Sequence, residues 1–266
     1  MPAAVQQLVD GLLTALRQAL PDNLVGLYLR GSLATGGFVP ETSDVDLFAV
    51  TERPMTGAEY EALQRVHGEV ESWPNPHARR LEIAYVDRQA LRHFLPGRRH
   101  PTLGQGEKLA WTEHRSNWIL ERWTLREHGV AIYGPEPRTL IDPISAAAVR
   151  EAVHARLPDW AVWANAQDET ELAAPRASSA YWVETMCRAL YTLDCGALCP
   201  KATAVQWARV WLPEPWRSTV ARSQQWRTDR TPDAAVVQEA LRFVKWATRL
   251  AMGDASSVPG QLGSET

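Results

Sequence analysis

A chain of 266 residues with 45% apolar content can bury one large core or two modest ones. Charged residues make up 22% and the formal net charge is -3, which excludes the strong basic excess of a general nucleic-acid binder. Three cysteines, Cys187, Cys195 and Cys199, form no disulfide framework, so a reducing cytoplasm is expected.

The opening MPAAVQQLVDGLLTALRQAL lacks a basic start and is interrupted by Asp10, so it does not read as a secretory signal. Its apolar positions, Val5, Leu8, Val9, Leu12, Leu16 and Leu20, predict an amphipathic helix ending at Pro21. VGLYLR, residues 25–30, suits a buried strand that stops at Gly31-Ser32. The turn-rich TGGFVPETS leads to DVDLFAV, residues 44–50, a second strand. A helix is expected over 56–71 and a third strand at LEIAYV, residues 81–86. Pro96, Gly97, Pro101, Gly104 and Gly106 predict a loop, and 107–129 a long helix carrying Trp111, Trp118 and Trp123 and stopping at Gly129. YGPEPRTLIDP, residues 133–143, reads as a linker. Helices are expected after it near 145–164, 177–195, 201–211, 214–226 and 233–251. No window is apolar over the roughly 18 residues that a membrane helix needs.

The expected fold is therefore α+β. A mixed sheet with flanking helices, residues 1–143, precedes an all-helical bundle, residues 144–252, and a disordered tail, residues 253–266.

The stretch LRGSLATGGFVPETSDVDLFAV carries the chemistry. Asp44 and Asp46 alternate along a strand and so project from one face. Two carboxylates held together repel, an arrangement that a cation between them relieves. Oxygen-only ligands favour Mg²⁺ or Mn²⁺. Gly31 lets a phosphate approach its backbone, and Ser32 adds a hydroxyl donor at the start of a helix. Leu81 and Ile83 bury on one strand face, turning Glu82 to the other. There it can ligate a second metal or take a proton from an attacking hydroxyl. The structural alternative, a turn plus a hydrated strand end, suits each piece alone better than the three in this order.

Other features read more simply. The cysteine spacing Cys195-x-x-x-Cys199 is not a zinc pair, and buried thiols are expected. No P-loop and no dinucleotide fingerprint is present. Most tryptophans are expected to pack between helices; Trp111 is a candidate to stack on a substrate ring, and Trp160, Trp163 and Trp182 could line the same cleft. Lys201 follows Pro200 at a helix start, where a solvated helix end is the plain alternative to a phosphate contact. Arg188 stands four residues after Glu184, where an exposed ion pair is the plain reading.

GSLATGGFVPETSDVD resembles the core motif of the polymerase-β-like nucleotidyltransferases. LEIAYV, REHGVAIYGPEPRTLIDP and YWVETMCRALYTLDCGALCPKATAVQWA extend the resemblance to the two-domain aminoglycoside adenylyltransferases that modify streptomycin and spectinomycin, over about residues 25–220. The resemblance implies an enzyme that uses ATP and Mg²⁺. Asp44 and Asp46 would be metal ligands, with Glu82 as catalytic base or further ligand. Gly31 and Ser32 would hold the triphosphate, and Lys201 and Arg188 would reach the phosphates. Trp111 and Tyr181 are candidate substrate contacts.

In that family an acid opens the helix carrying the arginine. Here PRASSAYWV places Arg176, Ser178, Ser179 and Tyr181 there, leaving Asp168, Glu169, Glu171 or Glu184 as substitutes. The expected activity is transfer of AMP from ATP to a hydroxyl of a small molecule of the aminoglycoside type, bound in an inter-domain cleft. Alternatives are a protein or RNA acceptor, or a nucleotide-binding module without catalysis. Nucleic acid is the less expected partner and no membrane partner is expected.

Overall fold

A computed structural model describes residues 1–167 and 174–253. The chain divides into two compact units, one ending at Ile144 and the other beginning at Ser145.

The first unit is built on six strands in the order β5-β4-β3-β2-β1-β6. They are β1 (Leu24–Leu29), β2 (Val45–Thr51), β3 (Leu81–Asp87), β4 (Arg99–Leu103), β5 (Ala110–Glu113) and β6 (Val130–Tyr133). The central pair β2–β3 is parallel, and all other pairs are antiparallel. The parallel pair needs a crossover, which α3 (Gly57–Glu71) supplies. A capping box between Thr56 and Glu59 fixes where α3 begins.

Alternation along the strands sorts residues into two cores. Leu27, Leu29, Val45, Leu47, Leu81 and Ile83 pack with Leu8, Leu12 and Leu16 of α1 (Ala3–Ala19) and Leu63 of α3. Tyr28, Phe48, Val50, Ala84 and Val86 face the other way, against Leu91 of α4 (Arg88–Arg92), Trp118 and Leu125 of α5 (Asn117–His128) and Leu140 of α6 (Pro137–Leu140).

Several local expectations need correction. The loop expected at 96–106 contains β4, and Pro101 is tolerated because the β3–β4 ladder involves only Ile83↔Leu103 and Ala84↔Thr102. The long helix expected over 107–129 is only α5; its first part is the edge strand β5, captured by pairing with β4 from Arg99↔Glu113 to Thr102↔Ala110. Pairing across the sheet outweighs local helix propensity there. The segment after Gly129 forms β6 on the far edge, and the stretch read as a linker contains α6, with Leu140 and Ile141 buried.

The second unit is helical among its described residues: α7 (Ala146–His154), α8 (Leu157–Ala166), α9 (Arg176–Cys195), α10 (Lys201–Trp211), α11 (Trp216–Trp226) and α12 (Ala234–Ala251). The helix expected over 145–164 is two, because Pro158 sits in the first turn of α8, where it suits a new start. Helix α9 packs against α7, α10, α11 and α12 around Val183, Met186, Cys187 and Leu190. Gly196, in the left-handed conformation at φ +70, ends it. Trp160, Trp163 and Trp182 meet one another edge to face and pack against this core, in line with packing roles. The tail beyond Gly253 lies outside the described residues, as do Asp168, Glu169 and Glu171. No helix among the described residues is long and apolar enough to cross a membrane.

Of the four buried histidines of the first unit, three are shifted far enough to make it pH-sensitive. Burial pushes His67 and His100 down to about 4 and His114 to about 2, the last two also by neighbouring cationic groups. The folded values lie below the unfolded value, so acid favours unfolding. The stability is whole above about pH 6.5 and declines as pH falls toward the folded values. Each group that stays neutral costs about 2 kcal/mol at about pH 5. Urea unfolding of the full chain should show a lower midpoint at pH 5 than at pH 7.5, with the drop reduced in His67→Gln. Equal midpoints would show these histidines to be accessible to protons.

Candidate active site

The strand alternation that builds the two cores also sorts the polar residues. Asp46 shares its side of β2 with Phe48, and Glu82 shares its side of β3 with Ala84. The two are register partners on adjacent parallel strands, so their carboxylates stand side by side. Asp44 lies just before β2 rather than on it, and its charge acts on Glu82. The three acids are half-buried at the N-terminal ends of the parallel pair.

Gly31 opens the five-residue helix α2 (Gly31–Thr35), with Ser32 next. Its φ is +60, and a Cβ there would stand 2.2 Å from Asp46 Oδ2. Only glycine lets the turn lie this close to the carboxylate.

Two further residues belong to this face, and sequence reasoning missed both. Arg30, at the end of β1, is buried, and its backbone N–H donates to Asp46 O at 3.0 Å. Its guanidinium Nη1 donates to Glu121 Oε2 of α5 at 2.6 Å and lies 3.5 Å from Asp46 Oδ1, while Nη2 lies 3.9 Å from Glu82 Oε2. A charged residue directly after the apolar run VGLYL was the available signal for Arg30. For Glu121 there was none, since it comes from 91 residues further along the chain.

Burial raises the Glu82 carboxyl above its usual range, Arg30 opposes this, and Asp44 reinforces it. For Arg30, burial opposes the charge, but Glu121, Asp46 and Glu82 more than restore it.

The donor set fits a hard divalent ion in chemistry: carboxylate oxygens only, around a glycine turn that leaves the backbone open. Among the described residues, no group of three acids, histidines or cysteines is gathered closely enough to hold an ion by itself. Arg30 stands among the acids instead.

Trp111 is not brought to this site. It lies on β5 and leans on Tyr60 of α3, ring centroids 5.4 Å apart, on the α1–α3 side of the sheet. Arg188, Lys201 and Tyr181 belong to the second unit. There Lys201 Nζ lies 4.8 Å from the Tyr181 ring centroid and 4.0 Å from Glu184 Oε2. Glu184 is buried and pairs with Arg227 Nε at 2.9 Å, so the exposed Glu184–Arg188 pair expected on α9 is replaced by a contact from the buried carboxylate to an exposed arginine at α11's end. Arg188 Nε is itself buried without a hydrogen bond. No acid stands in the first turn of α9; Arg176 there is held by Asp229 and Asp233. Cys187 is buried, and all three cysteines are free thiols.

A nucleotidyltransferase domain model matches residues 9–88, and the model of the aminoglycoside adenylyltransferase C-terminal domain matches residues 139–248. The chain is a nucleotidyltransferase enzyme that resembles the aminoglycoside adenylyltransferases in both of its units. It is 24% identical to an aminoglycoside (3'') (9) adenylyltransferase of Klebsiella pneumoniae, covering 91% of this chain and 94% of the relative. The Escherichia coli enzyme of that description gives the same identity and coverage. One from Rhizobium radiobacter is 29% identical over 45% of this chain and 43% of the relative. The spectinomycin adenyltransferase AAD(9) from Enterococcus faecialis, solved with ATP and spectinomycin, shares the fold: TM-score 0.71 at 18% identity, covering 92% of this chain and 99% of that one.

Proposed function

We propose that this chain moves AMP from ATP onto a hydroxyl of an aminoglycoside-class antibiotic, with spectinomycin the first acceptor to try. The carrying observation is the single face on which Asp46, Glu82 and the Gly31 turn meet. The relatives and the ATP- and spectinomycin-bound neighbour support the choice of donor and acceptor.

In this reading Asp44 and Asp46 present carboxylate oxygens to Mg²⁺. The ion would offset charge on the α-phosphate and on the departing pyrophosphate. Gly31 leaves its backbone open to the phosphates, and the Ser32 hydroxyl donates to them. Glu82 accepts the proton of the attacking hydroxyl; burial raises its carboxyl, which makes it a stronger proton acceptor than a solvated carboxylate. Positioning of the two reactants carries much of the rate. Lys201 and Arg188 are assigned to the phosphates by family resemblance, and Tyr181 to the acceptor. Trp111, on the other side of the sheet from the acids, is withdrawn as an acceptor contact. The acid-free start of α9 favours an acceptor with fewer positive charges than streptomycin.

The test is incubation with ATP, Mg²⁺ and a panel of spectinomycin, streptomycin and other aminoglycosides. Pyrophosphate release is followed, and mass spectrometry looks for an acceptor heavier by one AMP. A product with spectinomycin supports the reading in full. Product only with streptomycin overturns the acceptor preference. No product with any drug, while the protein binds ATP, moves the acceptor to another class, and a protein or RNA hydroxyl comes next. An RNA acceptor would show activity falling steeply with salt.

A further inference from the structure

The acid face carries a cation of its own. We propose that Arg30 is a positioning residue that competes with the divalent ion for Asp46, beside Glu82, and that Glu121 sets the outcome by holding the guanidinium toward α5. The inference rests on the reading of Asp46 as a metal ligand, with Glu82 beside it.

Arg30 is 8% exposed, and its Nε donates to Leu47 O at 3.3 Å, which fixes the inner edge of the guanidinium. The outer nitrogens divide between two sides. Nη1 makes its short contact, 2.6 Å, to Glu121, and its longer one, 3.5 Å, to Asp46. Nη2 faces Glu82 at 3.9 Å. The close partner is thus the one acid of the three outside the strand pair. A guanidinium stays charged under all protein conditions, so this positive charge is permanent. An ion entering between Asp46 and Glu82 meets it within a few ångströms, in a half-buried place where water screens weakly.

Two consequences follow from the charges. Removing the Glu121 carboxylate turns the guanidinium wholly onto Asp46 and Glu82, against the ion. Removing Arg30 takes its positive charge away from both carboxylates and so favours the ion. A triphosphate brings negative charge that offsets Arg30, so an ion arriving with nucleotide binds better than an ion alone. This differs from a structural salt bridge, whose loss would weaken the site from either end.

Mn²⁺ titration of the full chain without nucleotide, followed by electron paramagnetic resonance of the free ion, tests this. Glu121→Gln should weaken binding about tenfold and Arg30→Gln should tighten it about tenfold. In the Arg30→Gln background, Glu121→Gln should shift affinity less than about twofold, because its effect runs through Arg30. Glu121 is partly exposed, so its variant tests the idea even if Arg30→Gln folds poorly. Weakening in both single variants, or Asp46-dependent binding that neither changes, overturns the inference alone. Mn²⁺ binding that Asp46→Asn leaves unaltered overturns the ligand reading and the inference with it.

Discussion

Asp46→Asn should lower kcat/KM for AMP transfer by at least about a thousandfold while leaving the fold intact. The amide has the shape of the carboxylate but lacks its charge. The backbone of Asp46 already holds β2 to Arg30, and that contact is untouched. Arg30 also keeps its shorter bond to Glu121. The change therefore acts on charge at one point rather than on packing. Stability should shift by no more than about 1 kcal/mol in urea unfolding, as for a partly solvated ion pair. Activity within about tenfold of the parent would remove Asp46 from the metal site.

Gly31→Ala should cost nearly as much by a different route. The left-handed backbone at φ +60 penalises a side chain by about 1–2 kcal/mol. The added methyl would also stand 2.2 Å from Asp46 Oδ2 and 2.8 Å from its Cγ, so the carboxylate must move. A displacement of about 1 Å in a reacting group can cost about a hundredfold in rate. Gly36 is the control: its φ is +78, but a Cβ at that position would meet nothing within 4 Å. Gly36→Ala should show the backbone penalty in unfolding and nearly parental kcat/KM. Equal kinetic losses at the two positions would mean that backbone strain, not the approach to Asp46, matters.

Much of this is legible in the chain. The apolar steps of α1, the strand pattern around Gly31-Ser32 and the alternation that turns Glu82 away from Leu81 and Ile83 all follow from local periodicity. Periodicity cannot see pairing partners. β5 is helical by local preference and becomes a strand because β4 is beside it. β6 is four residues long, too short for a repeat to declare itself. The same limit hides Arg30, whose carboxylate partners lie 16, 52 and 91 residues further along the chain. Trp111 departs from its expected place for a related reason: once it sits on a strand, parity decides its side of the sheet, and parity puts it with Tyr60. On α9, a partner from the end of α11 displaces the local pair expected for Glu184.

The strands that carry the acids leave this enzyme little room for drift at its centre. Val45 and Leu47 flank Asp46, and Leu81 and Ile83 flank Glu82, all four in one close-packed core. One peptide bond separates each acid from a side chain that cannot change volume without shifting its neighbours. A substitution that loosens the core there would register as lost turnover before it registered as unfolding. Selection for activity alone therefore guards the interior of β2 and β3, and inherited variation should accumulate where no such coupling exists, on the exposed edge formed by β5.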